Sequence, residues 1–381
     1  MNRREKLVKG PVVLYEQMRT KIIELIRERN LRPHDPIPSE AELAAMYGVS
    51  TRTSKEALAA LAKEGLVYRL PRRGTFLAER PGAPQRSNPL PIALVVPDMD
   101  EYAGAIVQSA VGAARQAGAE VLLRVTGGDL TEEERTLKQA AAEARGIILF
   151  PGNRRTCPDE LLRLHLAQFP IVIVDRAYRE IGLPSVYHDH YQGGYELTDY
   201  LIEAGHRQIG FITADIEGVM SREDRYYGYM QALLNNRIPF EGSMVLTLPG
   251  PGDGFGNRSV PALDEAGTAA ALERFLQAHP RMTAVFCAND ELAGQTMAAC
   301  FRLGVKVPLQ LSVAGFTDSS LARRLPVPLT TMRKPADTLG EAAVRLLLER
   351  IDNPSVSPPP SVKYPTQLIV RDSVRTLISP S

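Results

Sequence analysis

A proline-rich segment at residues 80–91 limits what this chain can fold into more than any other feature. The segment contains four prolines and no apolar periodicity, which predicts a linker rather than a helix or a strand. The 381 residues therefore divide into a short head and a body several times longer. We predict a head domain at residues 1–79 and a body at residues 92–375.

Charge is distributed unevenly between these two parts. Residues 1–80 carry 16 Lys and Arg against 10 Asp and Glu, whereas the rest of the chain carries 29 against 34. A basic head on an acidic body is typical of a nucleic-acid-binding module joined to another domain, because phosphate contacts supply most nonspecific affinity for DNA. Charge alone fits an ordinary solvated surface equally well.

Composition excludes several classes of protein. Apolar residues make up 44% and charged residues 23%, as in ordinary globular proteins. No apolar stretch approaches the roughly 18 residues that a membrane span needs, and residues 1–10 are charged where a secretory signal would be apolar. We therefore expect a cytoplasmic protein with no membrane partner. Cys157, Cys287 and Cys300 lack metal or redox spacing, so we expect buried thiols.

The head begins with two predicted helices. Apolar residues at helical spacing predict an amphipathic helix over residues 12–30, and a proline-rich turn follows at residues 32–38. Ser39 begins a second helix, because Glu42 stands at the position that completes a reciprocal capping box. Gly48 ends this helix, since glycine permits the left-handed exit.

A third helix follows so closely that the pair predicts a helix-turn-helix. Ser50 caps this helix and Gly65 ends it. Its opening turn is crowded with polar residues, as expected where a recognition helix reaches base edges in the major groove. These residues are Thr51, Arg52, Thr53 and Lys55.

Two short strand-like runs complete the head. Residues 66–70 and 75–78 predict a hairpin with a basic tip, which is the wing of a winged helix. Arg72 and Arg73 are placed to enter a minor groove or to bind phosphates, and Gly74 allows close approach of the backbone. A charged surface turn is the alternative interpretation.

Several motifs in the head, in order and spacing, resemble the winged-helix domain of GntR-type bacterial transcription regulators. They include Ile37-Pro-Ser-Glu, Tyr47-Gly-Val-Ser, Glu56-Ala-Leu, Glu64-Gly-Leu-Val and Arg73-Gly-Thr-Phe, within residues 12–78. The resemblance implies binding to double-stranded operator DNA. We assign that contact to Ser39, Thr51, Arg52, Thr53, Lys55, Arg72, Arg73 and Gly74. The family often has arginine at the positions of Ala41 and Thr51, so the operator sequence of relatives does not transfer.

The body alternates short apolar runs with segments of helix length. This pattern predicts two doubly wound parallel sheets, with strands buried on both faces and connected by right-handed crossovers. Ligands bind such sheets in the crevice at the carboxyl ends of the strands. The predicted strands are residues 92–96, 121–125, 147–150 and 171–174 in the first sheet, and 209–212, 244–248, 284–287 and 311–316 in the second.

The predicted crevice carries no recognisable catalytic motif. A nucleophile elbow, a Walker loop and a dinucleotide fingerprint are missing, so we predict neither an enzyme nor a cofactor. Residues 250–256 are rich in glycine but lack Lys-Ser/Thr, which favours a flexible loop. His188 and His190 lie on one side of an extended segment, but no third ligand has a diagnostic spacing. We favour a connecting strand between two lobes over a metal site.

Motifs along the body resemble the effector domain of LacI/GalR regulators, a two-lobed relative of periplasmic sugar-binding proteins. They include Val174-Asp-Arg, Gly205-His-Arg-Gln-Ile-Gly-Phe, Ala288-Asn-Asp-Glu-Leu-Ala-Gly and Ser312-Val-Ala-Gly-Phe. A GntR head on this body is the arrangement of the arabinose-repressor-like subgroup. The resemblance implies a first lobe at residues 92–187 and 333–358, and a second at 188–332 and 359–375.

The same resemblance implies an effector between the lobes. Asp175 would accept hydrogen bonds on the first lobe, and Ser221, Arg225 and Asn289 would bind from the second. Relatives commonly place an aspartate where this chain has Thr317, and Asp318 follows one residue later. Tyr102 and Phe255 are candidates for stacking on a sugar, although packing is the simpler role for each. Helix capping or a surface ion pair is the alternative for the polar residues.

Taken together, the two resemblances imply a ligand-controlled transcriptional regulator that binds a palindromic operator as a homodimer. A repressor controlled by a small sugar-like effector is the main hypothesis. A nonsugar effector such as a purine or a sugar phosphate, and an activator or a corepressed regulator, are the alternatives. An exported uptake protein would share the body but would have no use for the basic head.

Overall fold

We describe a computed structural model of the chain. The structure describes residues 14–29, 31, 35–63, 65–70, 74–78, 90–152, 157–178, 181–214, 216, 219–249, 265–354 and 361–377. None of the helices within these ranges combines the length and the apolar character that a membrane crossing requires.

The head contains three helices and a small antiparallel sheet. Its elements are α1 (Leu14–Glu28), β1 (Pro36–Ile37), α2 (Glu40–Tyr47), α3 (Thr51–Lys63), β2 (Val67–Leu70) and β3 (Gly74–Leu77). The strand order is β1-β3-β2, with antiparallel pairs throughout. The three predicted helices and the hairpin are present. The turn predicted at residues 32–38 also contains β1, which pairs with β3 through only two residues.

Apolar side chains at helical spacing form the core of the head. Met18 and Ile22 of α1, Leu43 of α2, and Leu58 and Leu61 of α3 are completely buried. Each helix thereby buries one stripe and leaves its polar face to solvent, which is how short helices are stabilised in a small domain. The outward face of α3 stays available for a partner.

The body begins with the strands and helices of a first lobe. They are β4 (Leu90–Val96), α4 (Glu101–Gln116), β5 (Ala119–Val125), α5 (Leu130–Glu143), β6 (Ile147–Leu149), α6 (Asp159–Leu166), β7 (Ile171–Val174) and β8 (Ser185–His188). The elements of the second lobe are α7 (His190–Glu203), β9 (Ile209–Ala214), α8 (Met220–Asn235), β10 (Val245–Leu248), α9 (Glu265–Ala278), β11 (Ala284–Cys287), α10 (Asp290–Arg302), β12 (Ser312–Thr317), α11 (Ser320–Arg324) and β13 (Thr330–Arg333). The last elements are α12 (Ala336–Asp352), β14 (Ser361–Tyr364) and β15 (Gln367–Ile369).

Each lobe is built on a six-stranded sheet. The first has the order β14-β8-β7-β6-β4-β5, and its strands from β14 to β4 pair in parallel. The second has the order β10-β9-β11-β12-β13-β15, in which only the β13–β15 pair is antiparallel. The two predicted α/β sheets are therefore present, and their apolar strands form the cores of the two lobes.

Two edge strands depart from the expectation of burial on both faces. β5 and β10 each lie at the end of a sheet, and several of their side chains are exposed or half-buried. An edge strand has a neighbour on one side only, so less of its surface is covered. Apolar runs alone do not distinguish an edge strand from a central one.

The chain passes between the lobes three times. The crossings fall between β8 and α7, between β13 and α12, and between β14 and β15. The prediction that residues 359–375 belong to the second lobe is wrong for β14. Residues 361–364 pair with β8 and so belong to the first sheet. The expected connecting strand at His188 is the end of β8, and His190 begins α7.

The cysteines are free thiols. Cys287 and Cys300 are buried, and burial raises the pKa of the Cys287 thiol to about 12. Cys157 is half-buried rather than buried, because it lies at the rim of the first lobe's core rather than within it.

Candidate DNA-binding and effector-binding sites

α2 and α3 each begin at a side-chain cap. The Ser39 Oγ accepts from the Glu42 backbone N–H at 3.3 Å, and the Ser39 N–H donates to Glu42 Oε2 at 2.8 Å. Gly48 follows α2 with φ of 69°, in the left-handed region that favours glycine. The Ser50 Oγ then accepts from the Thr53 N–H at 3.1 Å, which starts α3. These local interactions fix where α2 begins and ends and where α3 begins.

The first turn of α3 presents a polar, solvent-facing surface. Thr51, Arg52 and Lys55 are exposed, and Thr53 is half-buried. The Arg52 Nε donates to Glu56 Oε1 at 3.0 Å, but the arginine side chain remains 87% exposed. Exposed ion pairs of this kind are weak, so Arg52 is available to a base edge.

The wing is described only in part. Arg72 and Arg73 lie outside the described residues, as do residues 250–256 with Phe255. Gly74 begins β3, is exposed, and has φ of 114°, a conformation that other residues rarely adopt. Arg69 of β2 pairs with Glu40 of α2 at 3.1 Å, which connects the wing to the helix-turn-helix.

In the body, polar side chains from both lobes meet near the carboxyl ends of the strands. They come from α4, from the residue after β7, from the end of β8, from the starts of α7 and α8, and from the segment after β13. The side chains are Tyr102, Asp175, His188, His190, Arg225 and Lys334. We call this set the cleft cluster.

Asp175 and Tyr102 form the first-lobe part of the cleft cluster. The Tyr102 hydroxyl donates to Asp175 Oδ1 at 2.7 Å and lies 3.2 Å from His188 Nδ1. Burial, reinforced by the Asp175 charge, raises the pKa of Tyr102 well above its usual range. Tyr102 therefore stays protonated and acts as a donor to Asp175, rather than as a stacking surface alone.

Lys334 is a member of the cleft cluster that sequence analysis missed. Its Nζ lies 3.6 Å above the centre of the Tyr102 ring and 3.7 Å from Asp175 Oδ1. Burial lowers the pKa of Lys334 to about 8, although Asp175 opposes the shift. The lysine follows β13, and recognising it required knowing that the chain crosses between the lobes there.

Arg225 brings a second cation from the other lobe. Its Nη1 donates to the Ala288 carbonyl oxygen at 2.5 Å, its Nη2 lies 3.3 Å from His190 Nδ1, and its guanidinium stacks 4.2 Å from the Phe316 ring centre. Burial lowers the pKa of Arg225 to about 10, so the side chain is charged at neutral pH. The expected position of Arg225 in the cleft is consistent with these contacts.

The two histidines of the cleft cluster are neutral at neutral pH. Burial, with Lys334 nearby, lowers the pKa of His188 to about 4. Burial and Arg225 lower the pKa of His190 well below its usual value. Among the described residues, no group of three or more His, Cys, Asp or Glu side chains is arranged to hold a metal ion.

The backbone of the cleft is strained at two strand ends. Asp175 after β7 has φ of 68°, and Thr317 and Asp318 after β12 have φ of 137° and 59°. Non-glycine residues rarely adopt such angles, and they cluster at functional sites where the surrounding structure enforces them. This strain supports a binding role for the cleft.

Of three other predicted effector residues, one caps a helix and two have half-buried side chains. Asn289 caps α10, since its Oδ1 accepts from the Leu292 N–H at 2.8 Å. Ser221 lies half-buried in the first turn of α8, and Thr317 is half-buried at the end of β12. The capping alternative considered for the polar residues therefore applies to Asn289.

Asp318 is engaged by arginines of its own lobe. Its carboxylate is almost fully buried, accepting from Arg371 at 2.6 Å and from Arg333 at 2.7 Å. Both oxygens therefore help to fix the β12–β13–β15 edge, and the surface ion-pair alternative for the polar residues becomes a buried one at Asp318. Its role toward an effector stays a prediction.

Glu101 makes a contact between the lobes away from the cleft cluster. Its carboxylate on α4 accepts from the backbone N–H of Ser320, the first residue of α11, at 2.9 and 3.0 Å. A side-chain hydrogen bond from Ser320, together with these backbone bonds, lowers the pKa of Glu101. The contact exists only when the two lobes are close together.

Comparisons with known proteins agree with this architecture. Residues 14–77 match the family described as bacterial regulatory proteins of the gntR family. Residues 198–374 match the periplasmic binding protein-like domain.

Full-length relatives combine the same two parts. The chain is 31% identical to the arabinose metabolism transcriptional repressor of Geobacillus stearothermophilus, over 95% of this chain and 98% of the relative. It is 29% identical to the repressor of the same name from Halalkalibacterium halodurans, over 94% of each. A solved sugar-binding LacI-family regulator from Escherichia coli, complexed with phosphate, covers 75% of this chain and 98% of its own length, with a TM-score of 0.62 and 25% identity.

The fold and these similarities define a class, the DNA-binding transcriptional regulators that carry a small-molecule-binding domain, rather than an enzyme. Within that class, the chain belongs to the family of bacterial transcriptional repressors that join a GntR-type head to a LacI/GalR-like effector domain.

Proposed function

We propose that the protein represses transcription in the bacterial cytoplasm by binding a palindromic operator as a homodimer. A small sugar-like molecule in the cleft between the lobes controls this binding. In this proposal, the predicted head at residues 1–79 binds DNA, residues 80–91 are a linker, and residues 92–375 form the effector domain. A symmetric dimer imposes its own spacing on two half-sites of the operator.

The recognition surface is the exposed first turn of α3. Arg52 would donate to a guanine edge, and a bidentate contact of that kind contributes about 1–3 kcal/mol of discrimination. Lys55, Arg72 and Arg73 would bind phosphates, whereas Ser39 supports α2 through its cap. The remaining DNA-contact residues of the proposal are Thr51, Thr53 and Gly74.

The cleft cluster is the observation that carries the effector proposal. Half-buried Asp175 and Tyr102 and buried Arg225 are polar groups from two lobes, with a strained backbone at Asp175, and no catalytic motif uses them. Such convergent polar groups in a cleft are the ordinary features of a ligand site. Ser221, Asn289 and Thr317 would line the second-lobe wall, with the free Asn289 amide nitrogen as the donor.

Selection of bound fragments from a bacterial genome, followed by fluorescence anisotropy, tests the DNA half of the proposal. We expect a two-fold symmetric site whose affinity falls steeply with salt. Arg52→Ala should relax the preference at one base pair in each half-site, whereas Lys55→Ala should weaken all sequences and flatten the salt dependence. An unchanged base preference in Arg52→Ala would refute the assignment of that residue.

A thermal-shift screen with a sugar library tests the effector half, because a ligand that binds only the folded protein raises its melting temperature. Titration of a hit against the protein–operator complex then gives the sign of control. We expect release of DNA. Tighter operator binding would instead identify a corepressed or activating regulator.

A further inference from the structure

The cleft cluster contains two cationic side chains, Arg225 and Lys334, and one carboxylate, Asp175. Arg225 and Lys334 are both more than nine-tenths buried. Lys334 Nζ is 3.7 Å from Asp175 Oδ1, and among the described residues neither cation makes another salt bridge. Lys334 thus has one neighbouring carboxylate, and Arg225 has none within ion-pair distance among the described residues.

The other ionisable groups of the cleft do not restore the balance. His188 and His190 are neutral, and Tyr102 is a neutral donor. Asp290 is buried on the second lobe, but its oxygens accept from Thr331 at 2.6 Å and from the Ser319 N–H at 2.7 Å. Its negative charge attracts Lys334 and Arg225, but its oxygens are occupied by these donors and it forms no ion pair with either cation.

Asp100 and Arg222 also act on the two cations. Asp100 is exposed and caps α4, because its Oδ1 accepts from the Ala103 N–H at 2.7 Å. Solvent therefore screens its attraction for Lys334. Arg222 adds a further positive charge, which lowers the pKa of Arg225. Among the described residues, Asp175 is therefore the one carboxylate within ion-pair distance of either cation, and it contacts only Lys334.

Both cations also have hydrogen-bonding capacity to spare. The Lys334 Nζ makes no hydrogen bond with a described residue, since its distance to Asp175 is beyond hydrogen-bonding range. The Arg225 Nε is buried and has no partner among the described residues. Buried donors without acceptors are costly, so a ligand that supplies acceptors and negative charge gains most from this cleft.

We propose that the effector is a small polyhydroxylated anion whose carboxylate or phosphate group lies against Lys334 and Arg225, while its hydroxyls donate to Asp175. This inference rests on the effector function proposed above and specifies the chemical class of the ligand. Guanidinium and ammonium groups bind carboxylate and phosphate oxygens through charge-assisted hydrogen bonds. Asp175 disfavours a ligand that is negative throughout and selects one whose charge is at one end.

Matched pairs of neutral and anionic sugars test the proposal on the full-length protein by titration calorimetry at fixed salt. The pairs are galactose with galacturonate, glucose with glucuronate, glucose with glucose 6-phosphate and ribose with ribose 5-phosphate, with inorganic phosphate as a further probe. We expect the anionic member of at least one pair to bind tenfold or more tightly than its neutral partner. The uronate and phosphate pairs distinguish the two sources of negative charge.

Substitution at Lys334 isolates the proposed contact. Lys334→Met should weaken the preferred anion tenfold or more and leave neutral sugars unchanged, whereas Lys334→Arg should retain a preference for the anion. Lys138→Met removes an exposed lysine of α5 and should change neither affinity. Circular dichroism and a two-state melting curve establish that each variant is folded, and Lys334→Gln replaces Lys334→Met if the latter is not.

Each remaining outcome overturns the inference in a recognisable way. A neutral sugar that binds as tightly as its anionic partner and releases operator DNA refutes the anionic ligand while leaving the proposed function intact. Binding of inorganic phosphate alone, with no gain from an attached sugar, refutes the polyhydroxylated ligand. Failure of every member of every pair to bind refutes both this inference and the sugar-like effector on which it rests.

Discussion

Asp175 has three structural roles in the cleft. It accepts from Tyr102, is the nearest anion to Lys334, and holds a left-handed backbone conformation at the end of β7. Asp175→Asn keeps an acceptor and the tolerance for positive φ, but it leaves Lys334 buried without a contacting carboxylate. We expect the free energy of unfolding of the body to fall by about 3 kcal/mol, because breaking a buried ion pair leaves an uncompensated charge.

Urea denaturation measures this change. Asp129→Asn is the matched control, since Asp129 caps α5 on the surface and asparagine caps helices equally well. Equal stability of Asp175→Asn and the wild type would mean that the cleft cations do not depend on Asp175.

His188 makes stability depend on pH. It faces Tyr102 directly and lies near Lys334, Asp175 and Arg225. Its pKa of about 4 in the folded state is below the ordinary value of about 6.5, so the unfolded chain binds a proton that the folded chain excludes. The free energy of unfolding is therefore unaffected above pH 6.5 and decreases as pH falls from 6.5 toward 4.

At pH 5, the loss attributable to His188 is about 2 kcal/mol. Denaturation curves at pH 7 and pH 5 measure it, and His188→Gln should remove this part of the difference. A variant that loses stability between these pH values as steeply as the wild type would assign the dependence to other groups.

At the scale of elements, two helices meet so closely that glycine is required. A Cβ on Gly194 of α7 would lie 2.5 Å from the Arg225 carbonyl oxygen and 2.9 Å from the Arg225 Cα of α8. Gly228 of α8 is likewise in contact with the backbone of Tyr191 on α7. The pairing of α7 with α8 therefore sets the position of Arg225 in the cleft.

Gly194→Ala should push α8 away and move the Arg225 guanidinium. We expect a loss of about 2 kcal/mol in the free energy of unfolding from overpacking, together with weaker binding of any effector that uses Arg225. Gly112→Ala on α4 is the control, because nothing lies within 4 Å of its added Cβ and the change should stabilise that helix slightly. Thermal melts of both variants measure the effect, and unchanged melting of Gly194→Ala would contradict the close packing.

The elements also show how far sequence predicts structure here. The capping box of Ser39 and Glu42 and the apolar strands are local signals, and the structure confirms them. Three short strands, β1, β14 and β15, form by pairing with strands that are distant in sequence. No local sequence pattern predicts them. Lys334 was missed for the same reason, since its place in the cleft depends on where β13 ends and the chain crosses.

Burial separated residues that the sequence left equivalent. Asp175 and Asp318 each follow a buried strand and each have positive φ. The Asp318 carboxylate accepts hydrogen bonds from Arg333 and Arg371, whereas the Asp175 carboxylate lies against Tyr102 and Lys334 in the cleft. The partners come from segments distant in sequence, so motif position alone could not assign the two carboxylates different roles.

At the scale of the whole effector domain, function depends on how the lobes approach each other. The Glu101–Ser320 hydrogen bonds and the contact of the Ala177 N–H with Met220 Sδ at 3.3 Å join the lobes without belonging to the cleft cluster. A ligand that bridges the lobes shifts the population toward the arrangement in which the lobes are close together. Contacts that form only in that arrangement stabilise it too, and so add to the free energy of ligand binding. Weakening such a contact should lower ligand affinity from a distance.

Ser320→Pro tests this coupling with a minimal change. Ser320 is the first residue of α11, where proline is well tolerated, and Ser319 before it has φ of −65° and ψ of 167°, which suit a residue preceding proline. The substitution removes both the N–H and the hydroxyl of Ser320, which hydrogen-bond to Glu101, and leaves the carboxylate in place. Because one hydrogen bond contributes about 1 kcal/mol, we expect ligand affinity to fall at least about fivefold.

Titration calorimetry with the tightest-binding sugar of the matched pairs provides the measurement. Ser320→Ala is the comparison variant, since it retains the backbone donor and removes the hydroxyl, which accepts from Arg324 at 2.6 Å and also hydrogen-bonds to Glu101. The same loss in Ser320→Ala and Ser320→Pro would assign the effect to the hydroxyl rather than to the backbone donor. A loss confined to Ser320→Pro, with a matching decrease in the ligand's effect on operator binding, would connect lobe approach to DNA release through one backbone donor.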